Sequence, residues 1–289
     1  MSEFEKLLTS YQNRINSKLE SLLPSDDSIL SEAIRYSVLG GGKRLRPILV
    51  YLIGELGNAE NDSLDILAGS VEIIHCYSLI HDDLPSMDDD DLRRGKPTTH
   101  KKYDEATAIL TGDALQPFAF ELVTTIDISV ENKLSIIKSL AQACGYQGMV
   151  GGQIKDIHSN DIKDVKSLDV MHSQKTGRLI QSSIETAGIL SGLRKQDIES
   201  LIEYGDKIGL AFQIQDDIID IESPSAISGK DQGSDIEKDK STYPSIVGIE
   251  NSKVRAFDLA KEAKEKLQLL ERNTDNLCKL ADYIVSRKT

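Results

Sequence analysis

The spacing of apolar residues over long stretches without helix breakers is the feature that most constrains the fold of this chain. Apolar residues recur every three or four positions over 64–79, 179–190, 198–210 and 254–270, which is the period of an amphipathic helix. The 289 residues include only seven prolines and no tryptophan, and strand signals are sparse. We therefore predict one all-α domain, residues 1–289, built from about ten or more helices.

Glycine and proline mark the predicted boundaries between these helices. Such interruptions fall at Leu23–Pro24, Gly40–Gly42, Leu84–Pro85 and Gly151–Gly152. The residues from 223 to 243 form the only long polar segment, which we interpret as a loop.

Composition and charge exclude several classes of protein. Forty-seven acidic residues against 34 basic ones give a net charge of -13, so a nucleic-acid partner is not expected. Cys76, Cys144 and Cys278 are odd in number and lack C-x-x-C spacing, which argues against a disulfide framework or a zinc site. The longest apolar run, Pro47–Gly54, is far shorter than the ~18 residues that span a bilayer. The amino terminus resembles no targeting peptide, so we expect a cytoplasmic protein without a transmembrane segment.

Six aspartates crowd into the ten residues from Asp82 to Asp91. They follow an apolar helical stretch, so Asp82 and Asp83 are expected near a helix C-terminus, where the helix dipole disfavours negative charge. Pro85 disfavours a regular helix at Leu84, and a bend there can return Asp88 toward Asp82. Mg²⁺ would stabilise such a group of oxygen ligands. The alternative is a solvated acidic turn.

A second group of acidic residues lies in the apolar segment Phe212–Ile221. Asp216 and Asp220 are four residues apart and so lie on one helical face, with Gln213 and Asp217 beside them. Unpaired carboxylates on a mostly buried helix are unfavourable. We interpret this group, together with the first, as two sides of a site for several Mg²⁺ ions whose remaining coordination positions are filled by phosphate oxygens.

A glycine-rich turn at 40–47 is the predicted anion site. Gly40–Gly42 lead into a helix with Pro47 in its first turn, so free backbone N–H groups, Lys43 and Arg46 can converge on phosphate. The spacing is not that of a Walker A loop. Other candidate phosphate-binding cations in this acidic chain are Arg93 and Arg94, which follow the first acidic group, and Lys175, Arg178, Lys230 and Lys240. For Arg178 and Lys240, a surface position without a role in binding is the stronger interpretation.

Taken together, these motifs resemble the trans-prenyltransferases, the isoprenyl diphosphate synthases, in their bacterial form. The resemblance covers nearly the whole chain. It rests on GGKRLRP (41–47), DDLPSMDDDDLRRG (82–95), GDAL (112–115), GMVGGQ (148–153), KTG (175–177), FQIQDDIID (212–220) and GKDQGSDIEKDKSTYP (229–244).

The resemblance implies the isoprenoid synthase fold, a helical bundle around a deep central cavity, usually in a homodimer. It implies three Mg²⁺ ions that bind an allylic diphosphate between two walls, formed by Asp82, Asp83 and Asp88 and by Asp216, Asp217 and Asp220. The residues that complete the allylic site would be Arg93, Lys175, Thr176, Gln213 and Lys230. Those that bind isopentenyl diphosphate would be Lys43, Arg46, His75 and Arg94.

The implied reaction is ionisation of the allylic diphosphate, head-to-tail condensation with isopentenyl diphosphate, and loss of a proton. The resemblance assigns the catalytic roles to Asp82, Asp83, Lys175, Thr176, Gln213 and Asp216. No dedicated catalytic base is visible in the sequence. Asp231 and the acids at 237–239 make the loop after the second motif unusually acidic, so the contribution of Lys240 is in doubt.

Tyr77 is the predicted determinant of product length. It lies five residues before Asp82, about 7.5 Å along the helix axis. In bacterial members, an aromatic residue there accompanies the fifteen-carbon product, farnesyl diphosphate, whereas a smaller residue accompanies geranylgeranyl diphosphate, our alternative product. Tyr77 could instead pack against a neighbouring helix with its hydroxyl paired.

Three other functions are weaker interpretations. A terpene cyclase shares the aspartate motif but has no use for GGKRLRP and the Arg93–Arg94 pair. A helical HD phosphohydrolase, suggested by His81–Asp82 and His75, has no role for the second aspartate helix. A helical scaffold with acidic cation-binding patches would bind Mg²⁺ independently of diphosphate.

Overall fold

Helices make up nearly all of the structure, a computed structural model that describes residues 1–159, 162–222 and 241–287. The first half contains α1 (Glu3–Leu22), α2 (Ile29–Val38), α3 (Leu45–Gly54), α4 (Asn61–Asp82), α5 (Thr99–Lys102), α6 (Glu105–Thr124) and α7 (Val130–Cys144). The second half contains α8 (Met149–Ile157), α9 (Val165–His172), a π-helical turn (Ser173–Gly177), α10 (Arg178–Leu190), α11 (Lys195–Glu222), α12 (Tyr243–Val247), α13 (Ile249–Leu267) and α14 (Asp275–Ser286). The predicted all-α class and the expected number of helices are confirmed.

Local sequence signals explain most helix ends. Ser2 and Glu5 form a capping box at the start of α1, and Ser28 caps α2. The chain leaves α1 at Leu23, just before Pro24, as predicted. The interruptions at Gly40–Gly42 and Leu84–Pro85 are also loops. The predicted polar loop from 223 lies outside the described residues up to position 240.

The predicted interruption at Gly151–Gly152 is wrong, because both residues lie inside α8. A Cβ on Gly152 would stand 2.2 Å from the Lys175 backbone nitrogen and 2.5 Å from its Cα. The absence of a side chain therefore lets α8 approach the π-helical turn closely. The glycine serves helix packing rather than chain reversal.

A short hairpin forms the only sheet in the described part of the chain. Strand β1 (Leu92–Arg93) pairs antiparallel with β2 (Lys96–Pro97). Both residues of the intervening turn have positive φ, 53° at Arg94 and 72° at Gly95, as a two-residue type I′ turn requires. The R-R-G sequence thus fixes the directions in which the side chains of Arg93 and Arg94 project from the hairpin.

The packing places α3 and α4 in the core. All ten residues of α3 are buried, and α4 packs against α3, α6 and α10. By length and composition α4 could cross a membrane, but 72% of its most apolar window is buried within the protein, as in a core helix. On the other side, α11 packs against α10, α13 and α14. The buried apolar residues form one connected cluster.

Candidate active site

A cavity of about 370 Å³ lies beside the C-terminal end of α4. Its wall is apolar on the α8 side, where Met149, Val150, Ile154 and Ile157 contribute. Four of the predicted substrate residues line it: Arg46, His75, Lys175 and Thr176. Other polar residues of the lining are Tyr77, His81, Asp82 and Gln153.

The first aspartate motif turns back on itself as predicted. Helix α4 ends at Asp82, and the Asp88 amide donates to the Asp82 carbonyl at 2.9 Å. Burial raises the pKa of the Asp82 carboxyl to about 6; Lys175 opposes the rise and Asp88 adds to it. No side chain in the described residues donates a hydrogen bond to this carboxylate. Asp82 and Asp88 are therefore close together in a setting that favours a bound cation.

Asp83 has a different environment from its neighbour. It is 3% exposed and receives both the Nε and the Nη2 of Arg93, at 2.8 and 2.5 Å. Arg93 Nη2 also lies 3.5 Å from Asp90. The structure thus joins a predicted metal ligand to a predicted substrate residue.

Two arginines, Arg44 and Arg94, fix the position of the glycine-rich loop. Gly42 has φ of 127°, and a Cβ there would overlap the Arg94 guanidinium. That guanidinium donates to the Gly41 carbonyl. Arg44 adopts the left-handed conformation, φ 53°, and its buried side chain donates to Glu72 at 2.7 Å and to the Val38 carbonyl at 2.8 Å. These bonds tie the loop to both α4 and the hairpin.

Lys43, Arg46 and His75 lie around this loop. Lys43 Nζ reaches Asp216 at 3.3 Å. Arg46 is buried, and its Nε has no partner among the described residues, so it is available to an anion. Burial and the neighbouring arginines, Arg46 first, hold the pKa of His75 well below its usual value. His75 is therefore a neutral hydrogen-bonding group at physiological pH.

The π-helical turn presents Lys175 and Thr176 to the cavity. Such turns inside helices often occur at functional sites. Lys175 Nζ donates to the buried Asp156 at 2.6 Å, and Thr176 Oγ1 donates to Gln213 Oε1 at 3.0 Å. Thr176 thereby connects the cavity to α11.

Helix α11 carries the second motif. Asp216 accepts from Lys43 and, at 2.8 Å, from Arg287 Nη2. Burial raises the pKa of Asp216, but Arg287 and Lys43 outweigh burial and hold it below its usual value. Arg287 also lies 4.2 Å over the Phe212 ring. Asp220 is half-buried one helical turn beyond Asp216, and the predicted substrate residue Lys230 lies outside the described residues.

Asp217 is buried behind Gln213. It is 3% exposed, accepts the Gln213 amide at 3.1 Å, and accepts the Tyr243 backbone N–H at 3.0 Å. His172 Nε2 lies 3.7 Å away. Burial lowers the pKa of His172 to about 4, so this histidine is neutral.

The carboxylates suit Mg²⁺ by type, since hard oxygen ligands are those it prefers. Among the described residues, no group of three or more His, Cys, Asp or Glu side chains forms a ready-made metal cage. Asp82 is partly buried and receives no side-chain hydrogen bond within the described residues, so it fits a cation whose coordination is completed by another molecule's oxygens.

Tyr77 lies in the cavity wall and also has a paired hydroxyl, and its role in product length stays a prediction. Its ring lines the cavity and its hydroxyl accepts Gln116 Nε2 at 3.2 Å. The ring also meets His81 edge-on at 6.0 Å. His81 in turn lies 3.1 Å from the Ile109 carbonyl of α6, so it packs against a helix and not against Asp82, contrary to what an HD hydrolase site needs.

The structure adds three residues that sequence reasoning missed: Gln153, Asp156 and Arg287. Both amide atoms of Gln153 are buried without a partner among the described residues, and Gln153 lines the cavity. It belongs to the GMVGGQ motif, and Asp156 lies one turn further along the same helix, so a signal was present for both. No sequence signal distinguishes Arg287 from other basic residues near the carboxyl end.

Comparison with known proteins agrees with this geometry. The polyprenyl synthetase family model matches residues 27–280. The chain is 47% identical to a farnesyl diphosphate synthase of Haemophilus influenzae over 100% of both chains. The crystal structure of an FPP/GFPP synthase from Zymomonas mobilis superimposes with a TM-score of 0.87 at 37% identity, covering 97% of this chain and 98% of that one. A geranyltransferase from Helicobacter pylori, complexed with magnesium and isoprenyl diphosphate, gives a TM-score of 0.84 at 32% identity, covering 99% and 97%.

Proposed function

The chain belongs to the polyprenyl synthetase family, and on this premise we propose that it is a prenyltransferase that makes farnesyl diphosphate. It condenses isopentenyl diphosphate head-to-tail with dimethylallyl and then geranyl diphosphate. The observation that carries the proposal is that Asp82 and Thr176 line the same apolar cavity, and that Thr176 is bonded to Gln213 of the second motif. The named relatives support the product.

The aspartates that would hold Mg²⁺ are Asp82 and Asp88 on one wall and Asp216 and Asp220 on the other. We expect three ions, and the magnesium in the Helicobacter structure supports the choice of metal. When bound, Mg²⁺ neutralises the charge that develops on the departing diphosphate. The family resemblance also assigns Asp83 and Asp217 to the metal; Asp83 is bonded to Arg93, and Asp217 accepts from the Gln213 amide and the Tyr243 backbone N–H.

The allylic C–O bond breaks heterolytically, and the diphosphate keeps the electron pair. Lys175 and Arg93, with Lys230, bind that diphosphate. The allylic carbocation is left beside Thr176 and Gln213, whose oxygens can stabilise it because fixed dipoles act strongly in a site that excludes water. Met149, Val150 and Ile154 form the apolar wall that keeps water away from the cation.

Isopentenyl diphosphate binds at the glycine-rich loop. Its phosphates meet Lys43, Arg46 and Arg94, and the N–H of the neutral His75 donates a hydrogen bond to them without adding charge. Its double bond attacks the cation and a C–C bond forms. A proton then passes to the released diphosphate, and the electrons of the broken C–H bond form the new double bond. The need to bind a second diphosphate favours this reaction over terpene cyclisation, which uses one.

Substitutions should separate the two substrate sites. Arg46→Ala should raise the KM for isopentenyl diphosphate by about tenfold or more, with a much smaller effect on the allylic KM. Lys175→Ala should do the reverse. Initial rates measured with each substrate varied in turn decide this; equal effects on both KM values would contradict the assignment of the basic residues.

We further propose a single-domain, cytoplasmic enzyme that forms a homodimer. Apolar residues exposed on the neighbouring helices α6 and α7 support a second copy at this face. They include Leu110, 58% exposed, and Leu134, 60% exposed. The expected substrates are small isoprenoid diphosphates, and no nucleic-acid partner is proposed.

The decisive test is incubation of the purified protein with dimethylallyl diphosphate, isopentenyl diphosphate and Mg²⁺, followed by dephosphorylation and chromatography. We expect mainly the fifteen-carbon alcohol, and no product when Mg²⁺ is removed with a chelator. A twenty-carbon main product would favour the geranylgeranyl alternative. Release of cyclic hydrocarbons from an allylic diphosphate alone would overturn the proposal.

A further inference from the structure

We propose that Gln153 is a further catalytic residue, whose side-chain amide finds both of its partners in the bound allylic diphosphate. Its NH₂ group donates to the departing diphosphate, and its carbonyl oxygen faces the cation that the diphosphate leaves behind. This inference rests on the proposed function, since it adds a residue to that reaction.

The amide of Gln153 is buried with neither end satisfied. The residue is 8% exposed, and both Oε1 and Nε2 are buried without a hydrogen-bond partner among the described residues. A buried donor and acceptor left unpaired destabilise the folded protein. An unpaired amide in a native structure therefore needs an explanation, such as a catalytic role or a bound molecule.

Gln153 interrupts an apolar wall. Helix α8 contributes five residues to the lining of the cavity, and the other four are Met149, Val150, Ile154 and Ile157. An apolar side chain at position 153 would complete this wall without leaving a polar group unpaired. The amide therefore marks a point at which the wall is suited to a polar part of a ligand.

Contacts on both sides of Gln153 hold α8 against the π-helical turn. A Cβ on Gly152 would lie 2.2 Å from the Lys175 backbone nitrogen, and Asp156 accepts the Lys175 ammonium at 2.6 Å. Gln153 lies between these two contacts in the sequence, and it lines the same cavity as Lys175 and Thr176. The amide is thus carried on a fixed helix, next to the residues proposed to meet the diphosphate and the cation, as a preorganised site requires.

The C–O bond that breaks has the polarity that an amide dipole can stabilise. Both electrons of the bond leave with the diphosphate oxygen, and the positive charge stays on the allylic carbons. An amide beside this bond can donate to the diphosphate through NH₂ and direct its carbonyl oxygen at the carbon. Both interactions strengthen as the charges separate, so they stabilise the transition state more than the bound substrate. The amide itself forms and breaks no covalent bond.

The test replaces Gln153 by methionine, which has a similar shape and no strong hydrogen-bonding group. Without substrate, Q153M should raise the thermal midpoint by about 2 °C or more, because an unpaired buried amide is removed. With the allylic diphosphate varied, it should lower kcat by about tenfold or more and change the KM by less than about threefold. Higher stability together with slower turnover is the expected result.

Gln174→Met is the matched control. The Oε1 of Gln174 is also buried without a partner among the described residues, but Gln174 is not among the residues that line the cavity. Q174M should keep kcat within about twofold of the wild-type value. If Q174M loses as much kcat as Q153M, disturbance of the π-helical turn explains both results and the proposal fails.

Binding supplies a readout that does not depend on turnover. Isothermal titration calorimetry with Mg²⁺ compares inorganic pyrophosphate with an unreactive dimethylallyl diphosphate analogue, in which sulfur replaces the bridging oxygen. Q153M should weaken the binding of both by about two- to threefold, since each loses one hydrogen bond from NH₂. Unchanged pyrophosphate binding would contradict the contact to the diphosphate. A tenfold loss for the analogue alone would make Gln153 a residue that recognises the hydrocarbon chain, and would overturn the catalytic role.

The outcomes separate this inference from the proposed function. A wild-type protein that forms no prenyl product refutes the function, while calorimetry with pyrophosphate still reports whether Gln153 contacts a bound diphosphate. Wild-type kcat in Q153M overturns the inference alone, and so does a parallel loss of stability and kcat, which is typical of a structural residue. If circular dichroism shows that Q153M is unfolded, Gln153→Asn withdraws the amide by one methylene and should show the same loss of kcat. Wild-type kcat in Q153N would then refute the proposal.

Discussion

At the scale of single residues, the charges around the aspartates of the two proposed metal-binding walls are balanced differently. Asp82 is partly buried and meets no side-chain hydrogen-bond donor in the described residues, whereas Asp216 is paired with Arg287 and Lys43. A partly buried carboxylate without a partner destabilises the folded state, and a paired one does not. The two walls should therefore respond with opposite sign to loss of their aspartate.

We expect Asp82→Ala to raise the unfolding free energy of the metal-free protein by roughly 1 kcal/mol and Asp216→Ala to lower it by a similar amount. Both should reduce turnover to near zero, since each removes a proposed metal ligand. Urea denaturation in the presence of a chelator measures the first effect, and the condensation assay measures the second. Equal signs of the stability change, or unchanged turnover in either variant, would contradict this account.

The ring of Tyr77 is expected to limit product length. Tyr77→Ala should enlarge the cavity enough for at least one further isoprene unit, because the ring lines it. Tyr77→Phe is the matched control: it removes only the hydroxyl bonded to Gln116 and should leave the product at fifteen carbons. Chromatography of the dephosphorylated products compares the three proteins. An active Tyr77→Ala enzyme with an unshifted distribution would show that another residue stops elongation.

At the scale of secondary-structure elements, the site depends on backbones that approach each other closely. Helix α8 packs against the π-helical turn through Gly152, where a methyl group would overlap backbone atoms of Lys175. Backbone cannot move aside as the end of a flexible side chain can. The same contact thus sets both the stability of this region and the position of Lys175 and Thr176.

Gly152→Ala should therefore lower the unfolding free energy by about 2 kcal/mol or more and reduce kcat. Gly177→Ala places the same methyl group at the end of the same turn, where its nearest contact would be an ordinary 3.6 Å, so its effect on stability should be small. Thermal denaturation followed by circular dichroism compares the two. A Gly152→Ala protein as stable as Gly177→Ala would show that α8 can shift without penalty.

At the scale of the whole molecule, one connected apolar core lies beneath the candidate site, and several apolar residues of α6 and α7 remain exposed. We expect light scattering to give a mass of twice 31.9 kDa. A charge at Leu134, as in Leu134→Glu, should favour the monomer because an interface core excludes unpaired charge. Leu269→Glu, at a residue 66% exposed on another part of the surface, is the control. A monomeric wild-type protein would refute the dimer.

The sequence by itself determined the features that depend on near neighbours in the chain. Helical periodicity, caps such as Ser2 and Ser28, and the break at Leu84–Pro85 act over a few residues, so the all-α class and the turn that returns Asp88 to Asp82 could be predicted. The family motifs identified Lys175, Thr176 and Gln213 without showing how they meet.

Only the tertiary structure decided which residues from distant parts of the chain contact each other in the candidate site. Lys43 and Arg287 meet at Asp216 across 173 and 71 positions of sequence. The Gly151–Gly152 pair predicted a helix break from sequence, because the close contact between Gly152 and the Lys175 backbone joins residues that are distant in the chain. The two aspartate pairs look equivalent in sequence, but the packing of α4 and α11 buries Asp83 and Asp217 while Asp82 lines the cavity and Asp216 stays partly exposed, because adjacent residues on a helix point in different directions.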